Sequence, residues 1–225
     1  MKLEDEVPPV LDVHPPHESI HGWRDFLLHL FTITIGLLIA LSLEGLVEWQ
    51  HHRHLVHEAE ASLHAEIQSN AKGMQDSIID LHKQQDSLTH DDVVLNYVIK
   101  NRKMPEHEHM EIAFHISSFD DVSWKTAQST TALSYMPYAR AQEYADIYGN
   151  QAELFTAEQQ AARDAIISLA PFMNDKAKDE PDPTPEKADA MKQKIEILQG
   201  QLLLVDSLMN SVDQQYKKFL AAHPD

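Results

Sequence analysis

Three side chains on one stretch have the type and spacing to hold a metal ion. In "EWQHHRHLVHE", Glu48 to Glu58, the residues His51, His54 and Glu58 follow one another at steps of three and four. On a helix that spacing brings imidazoles and a carboxylate to one face, where they can converge on Zn²⁺, Cu²⁺ or Ni²⁺. "EHEH", Glu106 to His109, is a second candidate. The competing reading is that these histidines are solvated, paired with Glu48 or Glu58, or near lipid phosphates, and a divalent metal is therefore a secondary expectation.

Other chemistry finds little material. There is no HExxH for a zinc hydrolase and no GxSxG for a nucleophilic serine. The chain has no cysteine, which removes disulfides, thiolate nucleophiles and cysteine metal sites together. Only six glycines are present, too few for a glycine-rich phosphate loop beside a turn-dense fold. The expectation is a non-enzymatic protein with no resident cofactor. Its charge is −18, from 36 acids against 18 bases, which excludes nucleic acid as a natural partner. It also means that attachment to anionic lipid has to be hydrophobic rather than electrostatic.

The residues that must carry such an attachment are plain. Phe26 to Leu43 runs eighteen residues without a formal charge, then Glu44 and Glu48 follow. That length reaches the threshold for a membrane-spanning helix. Trp23 and Trp49 bracket the stretch 26 residues apart, about 39 Å at 1.5 Å per residue, and read as interfacial anchors. A cleaved signal peptide is the first alternative, since Ala40-Leu41-Ser42 resembles a cleavage site, but the segment before it is long and acidic rather than short and basic. A buried helix of a soluble protein is the second, and the lack of a polar face speaks against it. Lys2 and Arg24 on one side against Arg53 alone on the other favour a cytoplasmic N-terminus and a periplasmic bulk in a bacterial inner membrane. Within the anchor, Thr32, Gly36 and Ala40 recur every four residues, with His29 and Glu44 extending the face. Small residues at that spacing let two helices approach closely, so this face is the expected site of helix association.

The elements around the anchor follow from periodicity and breakers. Residues 1–18 form an acidic, proline-rich leader, 19–49 the anchor, 50–173 a helical stalk and bundle, 174–185 a linker rich in Pro and Asp, and 186–225 a last helix. Ser19 is a candidate cap for the anchor. The stalk carries Leu63, Ile67, Met74, Ile78, Leu81 and Leu88 to about Leu88, where Thr89 and Asp92 offer a cap for a further helix. "MEIAFHISSF" is ambiguous between helix and strand. Asp120 or Asp121 caps a helix with the stripe Trp124, Ala127, Thr131 and Tyr135. A second stripe, Tyr138, Ala141, Ala145, Tyr148, Ala152 and Phe155, precedes a capping box at "TAEQ", Thr156 to Gln159. Thr184 and Pro185 read as N-cap and first residue of the last helix. There Ala188, Met191, Ile195, Leu198, Leu202, Val205, Met209, Val212, Tyr216 and Phe219 keep an unbroken heptad. It suits a coiled coil in cis or in trans, or a long helix of an ordinary bundle. The Trp- and Tyr-rich residues 123–151 suit either a ligand pocket or close helix packing.

The run "TIGLLIALSLEGLVEW" and the segment "SWKTAQSTTALSYM" resemble a group of uncharacterised bacterial single-pass membrane proteins with an IGxLIAL-type anchor and a helical extracytoplasmic region. The resemblance implies an anchor and a helical domain and carries no activity with it. The expected whole is all-α: a transmembrane helix continuing into a long stalk, with a helical-bundle, coiled-coil-like extramembrane domain. Its expected role is that of an accessory or scaffold protein bound to the lipid bilayer, as a homo-oligomer or a subunit of a larger membrane complex. The alternative is an extracytoplasmic sensory or ligand- and metal-binding module.

Overall fold

In the computed structural model, residues 22–110, 115–173 and 184–224 are described. The leader at 1–18 with Ser19, part of "MEIAFHISSF" and nearly all of the linker lie outside them. Five helices occur among the described residues: α1 Trp23–Asn101, α2 Val122–Ser129, α3 Ala132–Tyr135, α4 Tyr138–Met173 and α5 Pro185–Ala222. The protein is all-α, as its composition and periodicity imply. The chain forms two compact units, Met1–His51 and His52–Asp225.

The first unit contains the N-terminal part of α1. Its large apolar side chains, from Phe26 to Val47, are exposed. Thr32, Thr34 and Ser42 donate their hydroxyls to the carbonyls of Leu28, Leu30 and Leu38 at 2.9, 2.8 and 2.6 Å. Each hydroxyl is thereby satisfied within its own helix, a condition that a hydrocarbon surrounding would impose.

The second unit is built on three long helical stretches: α1 from His52 onward, α4 and α5. α5 runs antiparallel to α1 in a constant register. His64 Nε2 meets the carbonyl of His223 at 2.8 Å, Gln75 donates to Asp213 at 2.7 Å, and His82 meets Asp206 at 3.1 Å. Further along, Gln85 donates to the Leu202 carbonyl at 3.3 Å and Lys192 pairs with Asp92 at 3.3 Å. α4 is antiparallel to α5, through Tyr216 to Gln151 and Gln201 to Asp164, and parallel to α1, through Tyr148 to Glu66. All ten heptad residues of α5 are at most 6% exposed. The choice between cis and trans is thus resolved: the seam is filled by helices of its own chain.

α1 offers two interleaved series at spacing seven to this seam. Ile67, Met74, Leu81, Leu88 and Leu95 form the apolar one, and all are buried. Leu63, Asn70, Ser77, Gln84, Asp91 and Val98 form the other, also buried and polar through its middle. Burying the apolar series supplies the driving force, roughly 25 cal/mol per Å² removed from water. The polar series demands hydrogen-bond partners and so constrains what can lie opposite.

Several local expectations are corrected. α1 does not stop near Leu88 to be recapped by Thr89; it continues to Asn101, and Thr89 donates its hydroxyl to the Gln85 carbonyl at 2.8 Å. The helix ends where Arg102 turns left-handed (φ 56°), its N–H bonding the Val98 carbonyl at 2.8 Å. Thr156 caps nothing, because α4 passes through it and its hydroxyl bonds the Ala152 carbonyl at 2.8 Å. A capping box inside a helix has no free N–H to serve. The stripe from Trp124 to Tyr135 is split, since Thr131 adopts φ 61° between α2 and α3. The buried positions are Ala127, Ala132 and Met136, while Thr131 and Tyr135 are exposed. On α4 the buried face is Tyr144, Ile147, Tyr148, Gln151 and Leu154, shifted from the predicted stripe, whose Tyr138, Ala145, Ala152 and Phe155 face outward. Residues 115–121 form neither helix nor strand. Thr184 does cap α5, accepting from the Lys187 N–H at 3.3 Å with Pro185 following.

Candidate functional site

The buried polar residues of α1 organise a network in the second unit. Asn70 holds the backbone of Asp120 on both sides: it donates to the Asp120 carbonyl at 2.8 Å and accepts the Asp120 N–H at 2.9 Å. Gln151 of α4 donates to the same carbonyl at 3.1 Å and accepts from Asn70 at 3.3 Å and from the Tyr216 hydroxyl at 2.6 Å. One turn earlier on α1, Glu66 accepts the Tyr148 hydroxyl at 2.7 Å and the Ser123 N–H at 2.8 Å. Asp121, the N-cap of α2, makes no capping bond with its own side chain. Glu66 takes over that duty from another helix, and its carboxylate sits where the α2 dipole favours negative charge. The Trp124 and Tyr148 rings stack at 5.3 Å and 6° over this group.

Burial pushes the Tyr148 and Tyr216 hydroxyls above the usual tyrosine range, and for Tyr148 the bond to Glu66 adds to it. Tyr144 is raised to about 12, by burial first and then by Glu60. The Tyr148 and Tyr216 phenols are therefore neutral donors, fixed in direction by Glu66 and Gln151.

At one end of the second unit a groove of about 410 Å³ is bounded by His57, Glu60, His64, Arg140, Tyr144 and His223. Arg140 contacts Glu60 at 3.6 Å, Glu143 at 3.3 Å and the His223 ring. His223 Nε2 also lies 3.2 Å from Glu143. The Phe219 ring packs against Tyr144 and His223 at 5.3 and 4.8 Å. The groove thus joins one guanidinium, two carboxylates and three imidazoles over an aromatic floor.

A second, much smaller cavity of about 10 Å³ lies between α1, α4, α5 and the 115–117 segment. Glu158 is 4% exposed there and accepts the Ser117 N–H at 3.2 Å. Burial raises its pKa above the carboxylate range, against the opposing pull of Ser117 and His115.

The expected metal ligands come together in part. His54 and Glu58 form an ion pair at 3.2 Å, with both side chains largely exposed. Among the described residues, no group of three or more His, Asp and Glu side chains is arranged to hold a metal ion. The neighbouring His52 stacks on Tyr135 at 3.6 Å. In the first unit, His29, Thr32, Gly36, Ala40 and Glu44 are exposed, as are Trp23 and Trp49. Trp23 packs on Phe26 at 6.2 Å.

Sequence reasoning missed the buried polar set. Its signal was available: Asn70, Ser77, Gln84 and Asp91 repeat every seven residues, three or four from each apolar position that was recognised. The partners Gln151 and Glu158 lie on a face of α4 hidden by its even spread of small residues.

No protein-family model, no curated protein and no solved structure matches the chain. Among the described residues, one helix is long and apolar enough to cross a membrane: the 18-residue window in α1 has a mean hydropathy of 2.3, and none of it is buried.

Proposed function

We propose that the chain is a membrane-anchored, non-enzymatic accessory or scaffold protein, held in a bacterial inner membrane with its N-terminus cytoplasmic and its bundle periplasmic. The observation that carries the reading is the apolar window near the N-terminus with no residue buried. A core helix of that hydropathy would be covered by its own chain. The acidic bundle adds support, because at net charge −18 it would avoid anionic headgroups and leave attachment to the anchor.

In this reading the protein assembles with itself or with a larger membrane complex. The heptad seam of α5 is already filled within the chain, so assembly falls to the anchor face of His29, Thr32, Gly36, Ala40 and Glu44. Alkaline extraction of membranes containing the full chain tests the anchor. Wild type stays in the pellet, and Leu38→Arg, which costs about 2.5–3.5 kcal/mol at a helix centre, shifts protein to the supernatant. Wild type found in the supernatant would end the anchor reading. Mass measurement in mild detergent tests assembly, and a lone monomer with nothing co-purifying would end that part.

The second reading, a ligand-binding module, is favoured by one observation, the groove lined by Arg140, His64 and His223. Native mass spectrometry decides it. A small molecule retained by wild type and lost in Arg140→Ala would support it. Metal analysis of untagged protein decides the His51, His54 and Glu58 version, which a content well below one ion per chain would remove.

A further inference from the structure

Three buried polar atoms that make no hydrogen bond to the described residues lie around the small cavity: Gln84 Nε2 from α1, Ser117 Oγ from the 115–121 segment and Glu158 Oε2 from α4. The residues are 8, 1 and 4% exposed. Three unrelated elements thus aim orphan polar atoms at one point, where about 10 Å³ is the room that one water molecule needs. Ser77 of α1 adds a hydroxyl to the wall, and the rest is mostly apolar, including Leu81, Ala161, Leu202, Val205 and Met209. No Lys or Arg lines it, and the one titratable neighbour is His115, which also acts on Asp80 of α1.

We propose that Gln84, Ser117 and Glu158 form a binding site for one water molecule and one proton, and that this site fastens the 115–121 segment to the bundle while Glu158 is protonated. The three orphan atoms can all be met by one water. Glu158 Oε1 already accepts the Ser117 N–H. A proton on Oε2 makes it a donor to the water, the water accepts a second bond from Gln84 Nε2, and it donates to Ser117 Oγ. That gives the water three partners, the usual number for a buried one. The proton comes from bulk solvent on the side of the exposed His115. When it leaves, a carboxylate remains in a largely apolar cavity whose one basic neighbour, the exposed His115, offsets only part of the burial, and the cheapest relief is for the segment to lift and admit solvent.

The sign follows from linkage. The folded state holds the proton more tightly than the unfolded chain, so closure is complete at low pH and is lost as pH rises through the folded-state pKa of Glu158. Hydrogen exchange of the Ser117 amide in the full chain in detergent micelles, corrected for the intrinsic rate at each pH, reads this directly. Protection should fall by up to tenfold per pH unit between the ordinary carboxylate value and that folded-state value, and level off above it. Glu158→Gln keeps the shape and a donor without a charge, so its corrected protection should be flat between about pH 5 and pH 8. In wild type, a cross-relaxation signal between the Gln84 side-chain amide and a long-lived water should appear at the low-pH end of the series, where protection is greatest. Flat protection in wild type, an unchanged slope in Glu158→Gln, or no long-lived water at Gln84 would each overturn the proposal.

Discussion

Asn70 grips the backbone of Asp120 through both its amide oxygen and its amide nitrogen, at 2.9 and 2.8 Å. One side chain of α1 thereby does for an irregular segment what a neighbouring strand does in a sheet: it satisfies the backbone donor and acceptor of a single residue together. The segment has no regular structure of its own, so its position depends on this grip, on Gln151 at the Asp120 carbonyl and on Glu158 at the Ser117 N–H.

Asn70→Ala should therefore destabilise the bundle by about 1–3 kcal/mol, because Asp120 and Gln151 lose partners where solvent access is poor. Asn70→Asp tests the geometry, since it retains the acceptor and loses the donor. Its loss should be smaller than that of Asn70→Ala if the Asp120 N–H bond matters more. Thermal melts followed by circular dichroism compare the two.

Alkaline pH should unfold the protein steeply. Tyr144, Tyr148 and Tyr216 have hydroxyls raised by burial, so the folded state keeps protons that the unfolded chain gives up near pH 10. The stability they contribute is complete below about pH 10 and declines as pH rises from there through their folded-state values. Ultraviolet titration should show these three phenols ionising only with loss of helix. Tyr148→Phe should reduce the steepness while leaving Glu66 with one fewer donor.

Thr131 takes φ 61° with a β-branched side chain, a conformation that glycine adopts without steric cost. Thr131→Gly should raise stability by a few tenths to about 1 kcal/mol, net of the extra freedom glycine gives the unfolded chain. A fall in melting temperature instead would mean that the break between α2 and α3 is held without strain.

The start of α5 depends on Thr184, which accepts the Lys187 N–H. Thr184→Ala should cost about 1 kcal/mol, and Thr184→Ser or Thr184→Asp should cost little. Fraying would appear as faster exchange confined to the first turn of α5.

Much of this architecture was legible in the residues. The apolar anchor stretch, the heptads of α5 and the Thr184-Pro185 start depend on local pattern, and each reports its own element. The split at Thr131 was not legible, because a left-handed threonine is decided by where the buried Ala127 and Ala132 must go. The capping signals at Thr89 and Thr156 misled for a related reason: a Thr hydroxyl bonds equally well to a carbonyl four residues back inside a helix. The candidate sites were hidden more deeply. Glu158 lies within what reads as a capping box, and its cavity is assembled by residues from α1, α4, α5 and the 115–117 segment. Arg140 and His223 are 83 residues apart and meet through tertiary packing alone.

A heptad repeat has a weakness that the polar series on α1 removes. Slide two such helices past one another by seven residues and every apolar side chain still finds an apolar neighbour, so the repeat by itself cannot tell one alignment from the next. Asn70, Ser77, Gln84 and Asp91 place amide, hydroxyl, amide and carboxylate at successive repeats, and Asn70 is matched to Asp120 and to Gln151 of α4. A slip by one repeat would set an amide where a hydroxyl belongs and strand a carboxylate. The buried polar residues thus act as a serial number along a ladder whose rungs are otherwise alike, and through Asn70 and Gln151 they give α1 and α4 a single way to close.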